Sequence, residues 1–225
     1  MRAALAAVLA LGLAASASAA DSRCFGTVAR GRLEGGVSLP GSGPNFSAYS
    51  ALGVAAGRTH VHAEVAAIFA AAYAAVAAGD PELRFVYGET GWPTGGALKP
   101  HRSHQNGTSI DFFVPVRDAA GRSVPLPTPL SERFGYDIEF DAQARWDEYR
   151  IDFEALAEHL HQLDVAARAR GSGLALVIFD PRYMARLLAT KRGPALRGLP
   201  FMKGKPWVRH DEHYHVDFRI GCRPL

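Results

Sequence analysis

The chain has 225 residues, 48% of them hydrophobic and 21% charged, with a formal net charge of +3. That balance provides no basic field of the kind a nucleic-acid binder needs, while a mild cationic excess suits an anionic substrate without requiring one.

The first twenty residues put Arg2 before an unbroken apolar run that ends in Ala17-Ser18-Ala19-Ala20. A basic start, a short apolar core and a small-residue cleavage site make the pattern of a secretory signal peptide. The run is short for a membrane span of about 20 apolar residues, and no Cys stands at the cleavage point to carry a lipid. Residues 1–20 are therefore expected to be removed on export, leaving a periplasmic protein with no membrane segment and a charge lowered by the loss of Arg2. About 205 residues remain, enough for one real core and short for two. One domain over 21–225 is expected.

Cys24 and Cys222 lie near the two ends of the exported chain. An oxidising compartment predicts a disulfide between them; the alternative is two free thiols. Closing so long a loop is assigned about 4–5 kcal/mol by the chain-entropy model.

In chain order, AEVAAIFAAAYAAVAA (63–78) is rich in the best helix former and ends at Gly79-Asp80-Pro81, which predicts one helix. LRFVYG (83–88) predicts a strand that feeds the Gly/Pro loop ETGWPTGGALKP, and SIDFFVPV (109–116) predicts another, followed by a turn at Asp118-Ala119-Ala120-Gly121. Phe153, Leu156, Leu160 and Leu163 recur at helical spacing and Gly171 ends that helix. LALVIF follows as an apolar strand, then Asp180-Pro181 as N-cap and first residue of a short helix, and YHVDFRI alternates as a final strand. Helices between strands without a regular βαβ rhythm favour an α+β fold.

Nine histidines form four groups: His60 with His62, His101 with His104, His159 with His161, and His210, His213 and His215. Residues two apart share a face on a strand but diverge by about 200° on a helix. His159 and His161 therefore cannot converge on one metal and are expected as polar helix positions. His60 and His62 precede the first long helix and are read as structural; with Glu64 they offer a weak cupin-like alternative that lacks the rest of that pattern. His213 and His215 point to one face of the last strand while Tyr214, Val216 and Phe218 point to the other, so Tyr214 is expected in the core. Upstream, HRSHQNGTSID offers His104 and, seven positions later, Asp111, with Gly107 letting the backbone turn between them. Two imidazoles and one carboxylate make a three-ligand zinc site with an open fourth position, which lowers the pKa of a water held there to about 7. A remaining histidine can then serve as base or proton donor. The competing reading is two unrelated polar clusters.

These residues resemble the penicillin-insensitive murein endopeptidases, zinc peptidases of the wider group that includes lysostaphin, D-Ala-D-Ala carboxypeptidases and hedgehog domains. The group signature, a His, six residues, an Asp and a later H-x-H, is matched by His104, Asp111 and His213-Tyr214-His215. The endopeptidase branch adds a His three before the first ligand and another three before the H-x-H, as do His101 and His210. GETGWPTGG (88–96) and Pro206-Trp207 also fit, so the likeness is strong over 88–113 and 206–217, weak at GRLEGGVSLP, and loose over 117–200.

The resemblance implies an α+β domain with a central, mainly antiparallel sheet flanked by helices. It makes His104, Asp111 and His215 ligands of Zn2+, with His101 as a further contributor to the metal site. His213 would be the general base, and His210 would orient a proton or stabilise the oxyanion. The implied partner is peptidoglycan and the implied reaction hydrolysis of the amide between D-Ala and meso-diaminopimelate in its crosslinks. No serine nucleophile takes part, so penicillin has no acylation target. Arg102, Lys203, Lys205 and Arg209 flank the motifs and can meet substrate carboxylates, against a plain reading as solvated charges; Trp207 is read as a cleft wall. Ser109 departs from the family's usual Asp two residues before the ligand Asp. The middle segment shows no counterpart of the family's further metal-binding Asp and His, which leaves the number of metals open. Alternatives with the same residues are a zinc D,D-carboxypeptidase or related amidase, and a cell-wall or metal-binding module without catalysis.

Overall fold

A computed structural model describes residues 22–225; the leader expected over 1–20 lies outside them. The antiparallel hairpin of β1 (Arg23–Thr27) and β2 (Arg30–Glu34) comes first, then the short strands β3 (Val37–Ser38) and β4 (Phe46–Ala48). Helix α1 (Ala51–Ala55), β5 (His60–Val61), the long helix α2 (Ala63–Gly79), β6 (Phe85–Tyr87) and β7 (Ser109–Phe113) follow. The middle holds β8 (Val116–Arg117), β9 (Ser123–Val124), a 3-10 segment at Leu130–Gly135, β10 (Arg145–Trp146), β11 (Tyr149–Ile151) and the second long helix, α3 (Phe153–Ala169). β12 (Leu174–Ile178), the short helices α4 (Met184–Leu188) and α5 (Gly193–Leu196), and β13 (His213–Phe218) complete it.

Both long helices begin where a side chain satisfies the free N–H groups of the first turn. His62 caps α2, its Nδ1 accepting from the Glu64 N–H at 3.2 Å, and Asp152 caps α3 by accepting from the Ala155 N–H at 3.1 Å. His62 is thus structural. His60 bonds through Nδ1 to the Gly57 carbonyl at 2.9 Å, and with His62 engaged in the cap and Glu64 paired with Arg170 at 2.7 Å the cupin-like alternative lacks its ligand set. The apolar stripe of α3 is buried as its spacing predicts; Leu156, Leu160 and Leu163 are all inaccessible, and each contributes about 1.5–3 kcal/mol relative to exposure.

The five-stranded sheet has the order β12-β13-β7-β6-β4, antiparallel except for the β4–β6 edge. Ile110, Phe112, Tyr214 and Val216 point from its centre into the helix-covered core, where the Phe112 ring lies 6.3 Å from Phe69. The expected strand 109–116 leaves this sheet after Phe113. Pro115 has no N–H to donate to a ladder, and Val116 joins a separate sheet of order β10-β11-β8-β9. The expected strand 83–88 is likewise trimmed to Phe85–Tyr87, and the last strand starts one residue early, at His213, and stops at Phe218.

His159 corrects the reading of it as a polar helix position. It is fully buried, with Tyr73, Phe85 and Phe112 ring centroids at 4.6, 5.1 and 4.9 Å and the Tyr214 hydroxyl on its Nδ1. It lies three residues after Leu156 and four before Leu163, so the helical period that buries them buries it as well. Tyr214 is in the core, as expected.

Cys24 and Cys222 form a disulfide with an S–S distance of 2.06 Å, which points to an oxidising compartment. Backbone bonds from Gly26 N to Arg223 O and from Arg223 N to Cys24 O fasten the N-terminal hairpin beside the end of β13. The result is a single α+β domain, its mainly antiparallel sheet flanked by helices. Among the described residues no helix is long and apolar enough to cross a membrane.

Candidate active site

The face of β7 and β13 turned away from the helices carries the chemistry. Their register sets His215 opposite Asp111, His213 opposite Phe113 and Asp217 opposite Ser109. Paired residues in an antiparallel ladder share a face, so side chains distant in sequence meet. Three loops cover this face: the long connection from β6 to β7, the segment around the 3-10 turn, and the approach to β13. Between them lies a cleft of about 910 Å³ whose lining includes His101, Asp111, Tyr136, His210, His213 and His215.

His104 reaches the site from the first loop. Its φ is +69°, in the left-handed region that costs a residue with a Cβ about 1–2 kcal/mol. The neighbouring backbone holds that conformation: His62 N donates to Gly107 O at 2.8 Å and Gln105 N to Val28 O at 3.0 Å. Gly107 has to be glycine, since its φ is +76° and a Cβ would lie 2.7 Å from Leu33.

His101, His104, His210 and His213 each have one nitrogen occupied, which orients the other, while His215 is engaged at both. A carbonyl only accepts, so the contact of His104 Nδ1 with Thr90 O at 3.2 Å places the ring proton there. Burial holds this ring below its ordinary pKa and hence neutral. Its Nε2 lone pair then faces Asp111 Oδ1 at 3.2 Å and has no hydrogen-bond partner. Two lone pairs so close repel unless a cation stands between them. The same Oδ1 is 2.8 Å from His215 Nδ1, and His215 Nε2 is 2.8 Å from Asp217 Oδ1. Although burial opposes its charge, Asp217 and Asp111 together lift His215 to about 10.

His101 Nε2 bonds Glu89 at 2.6 Å, leaving Nδ1 3.6 Å from Asp111 Oδ2. Ligand atoms of His101, His104 and Asp111 lie within 4.8 Å of one another. His215 meets the same carboxylate, its ring 4.8 Å from His104. This donor set, two or three imidazoles with one carboxylate and an orphaned buried nitrogen, fits a metal ion.

His213 is set by Glu212, whose Oε1 is 2.7 Å from Nδ1, with Nε2 3.9 Å from Asp111 Oδ2. Burial pushes Glu212 up to about 8 and His213 down to about 4. Both shifts favour the uncharged forms, and a neutral His213 then carries a single ring proton, which its Nδ1 can donate to Glu212 Oε1. His210 donates from Nδ1 to Val208 O at 3.0 Å, and its ring lies 4.6 Å from His213. Burial first, then the neighbouring His213, lowers it to about 4.

The residues read from sequence as substrate contacts fall in different places. Trp207 lines the cleft, with the Arg102 guanidinium 4.7 Å above its ring. Arg209 also lines the cleft, but it is engaged by Glu139, by Asp211 at 2.5 Å and by the Phe140 carbonyl at 2.8 Å. Lys205 borders a neighbouring cavity.

Sequence reasoning missed Tyr136, Glu89, Glu212 and Asp217. Tyr136 donates to Asp111 Oδ2 at 3.1 Å and accepts from the Glu89 N–H at 2.8 Å. Just before it, Gly135 has φ +99°, and a Cβ there would lie 2.7 Å from the Phe113 ring. Glu89 is held by Arg58 and by the Tyr49 hydroxyl at 2.8 Å. Burial opposes its charge, yet the bonds from His101 and Arg58 bring it down to about 2. Its position within GETGWPTGG was the only available signal.

Compared with protein families, the chain matches the model of the penicillin-insensitive murein endopeptidases over residues 24–224. The chain belongs to this family. None of the curated proteins compared with it matches. Membership in a murein endopeptidase family makes the chain a peptidase of a kind that acts on peptidoglycan, and the cluster around Asp111 is the part of the fold able to hold a metal ion for that work.

Proposed function

We propose that this protein is a zinc endopeptidase of the periplasm that cuts the amide between D-Ala and meso-diaminopimelate in peptidoglycan crosslinks. The observation that carries the reading is the His104 Nε2 lone pair, buried without a hydrogen-bond partner 3.2 Å from the Asp111 carboxylate. His104, Asp111 and His215 would hold the ion, with His101 beside them. Nitrogen and carboxylate donors of this kind suit zinc. Zinc supplies Lewis acidity toward water and the scissile carbonyl.

The chain's own residues do the rest. With its one ring proton on Nδ1 and donated to Glu212 Oε1, His213 has its Nε2 lone pair turned to the site, where it accepts a proton from the attacking water. The same nitrogen then returns the proton to the departing amine. His210, its Nδ1 proton committed to Val208, stands beside His213 with its Nε2 as an acceptor that can orient a proton in the cleft. Trp207 forms a wall for the peptide. Arg209 is held by its acidic partners and acts on the shape of the cleft more than as a free carboxylate receptor.

The test is metal content and product mass together. Mature protein loaded with zinc is incubated with crosslinked muropeptide dimers and with monomeric pentapeptides. Monomers released from dimers support the proposal. Release of terminal D-Ala alone would replace it with a carboxypeptidase, and sacculus binding without hydrolysis would replace it with a wall-binding module.

A further inference from the structure

Asp217 has no role in the chemistry above, yet it is buried, with 6% of its surface exposed. It lies two residues after His215 on β13, on the same face, and opposite Ser109 in the ladder. Its Oδ1 is 2.8 Å from His215 Nε2 and 2.5 Å from the Ser109 hydroxyl. Burying a carboxylate is costly unless its charge is compensated. Among the described residues no Lys or Arg side chain pairs with Asp217; its only ion-pair partner is His215. The charge is therefore answered through the imidazole and whatever that imidazole binds.

The two histidines closest to Asp111 are backed differently. His104 gives its one ring proton to a neutral carbonyl, whereas His215 faces a carboxylate. A carboxylate behind a ligating imidazole fixes the tautomer and ring orientation and makes the ligand nitrogen more basic. Ser109 stands where the resemblance leads one to expect an Asp, and Asp217 occupies the cross-strand position beside it. One carboxylate thus sits between these strands, supplied by β13.

We propose that Asp217 is a positioning residue for metal binding: it accepts the Nε2 proton of His215, turns Nδ1 toward the metal position beside Asp111, and can be replaced by a carboxylate at position 109. This inference rests on the reading of His215 as a ligand. Facing side chains in a ladder are about 4.5–5.5 Å apart at Cβ, so an Asp at 109 is within reach of the same ring. Ser109 as it stands holds the carboxylate in line by its hydroxyl bond.

Zinc affinity of the full mature chain, measured by competition with a chromophoric chelator, tests this without reference to activity. The wild type, His215→Ala, Asp217→Asn and the double variant Ser109→Asp/Asp217→Ser are compared. Asp217→Asn is expected to bind about 10–100-fold more weakly, with an altered visible spectrum after cobalt substitution. The double variant should return to within about threefold of the wild type, the tolerance set by a small shift in outer-shell geometry. Unchanged affinity in Asp217→Asn, or a double variant as weak as the single one, overturns the proposal. If Asp217→Asn fails to fold, the double variant decides by the same comparison with the wild type. A wild type that binds no zinc overturns both the metal reading and this one. Wild-type binding that His215→Ala leaves intact removes His215 from the ligand set and the proposal with it.

Discussion

His104 shows how much of this site depends on a single backbone conformation. Its left-handed φ is held by the loop around it, and the buried ring spends one nitrogen on Thr90 so that the other faces Asp111. Glycine adopts the same φ freely. His104→Gly should therefore leave the fold intact while zinc stoichiometry falls toward zero, as elemental analysis alongside circular dichroism would show. Tyr136 is the complementary case. Tyr136→Phe deletes the donor to Asp111 Oδ2 and leaves the Glu89 N–H without its acceptor, which is expected to cost about 1–3 kcal/mol. Urea unfolding measures that loss, and turnover of crosslinked dimers should fall because Asp111 is no longer fixed on that side.

At the scale of elements, β13 and α3 divide the histidines between chemistry and core. Alternation along β13 sends His213 and His215 to the cleft and Tyr214 to the core, where its hydroxyl meets His159 of α3. Burial lowers His159 to about 3, far below the usual 6.5 of an exposed histidine. The unfolded chain takes up a proton on this residue near pH 6.5 and the folded chain does not until about pH 3. Between those values the unfolded state binds more protons, so stability falls as pH falls, by about 1.4 kcal/mol per unit from this group. His159→Gln should flatten that part of the stability curve, which thermal unfolding at steps from pH 7 to pH 4 would reveal; an unchanged slope would contradict the assignment. The strand and the helix were legible in the sequence from periods of two and 3.6. The burial of His159 is not legible from residue type, since a polar ring on the apolar stripe is buried only because Tyr214 of the neighbouring strand meets its Nδ1.

For the whole molecule, the Cys24–Cys222 bond closes a loop with a sequence separation of 198 and ties the hairpin of β1 and β2 to the chain end beyond β13. That hairpin props the loop carrying His104 through Val28 O on Gln105 N, and the disulfide adds support through Asn106, whose side chain contacts Cys222 Sγ at 3.5 Å. A Cys24→Ser/Cys222→Ser variant is expected to lose about 2–5 kcal/mol of unfolding free energy. It should also bind zinc more weakly, because the loop holding His104 loses part of its support. Urea titration and chelator competition on the same preparation separate the two effects.

The sequence by itself determined the two long helices, pointed to the end-to-end cysteine pairing and, through its likeness to a family motif, nominated His104, Asp111 and His215 as donors, because motif and period are written within short windows. Tertiary structure decided which nitrogen of each ring faces Asp111, and that Tyr136, Glu89, Glu212 and Asp217 orient those rings. It also engaged Arg209 with acidic neighbours. These outcomes depend on the register that sets β13 against β7 and on loops packed over that ladder. His215 meets Asp111 across 104 positions of sequence, a contact made by strand pairing that no local pattern encodes.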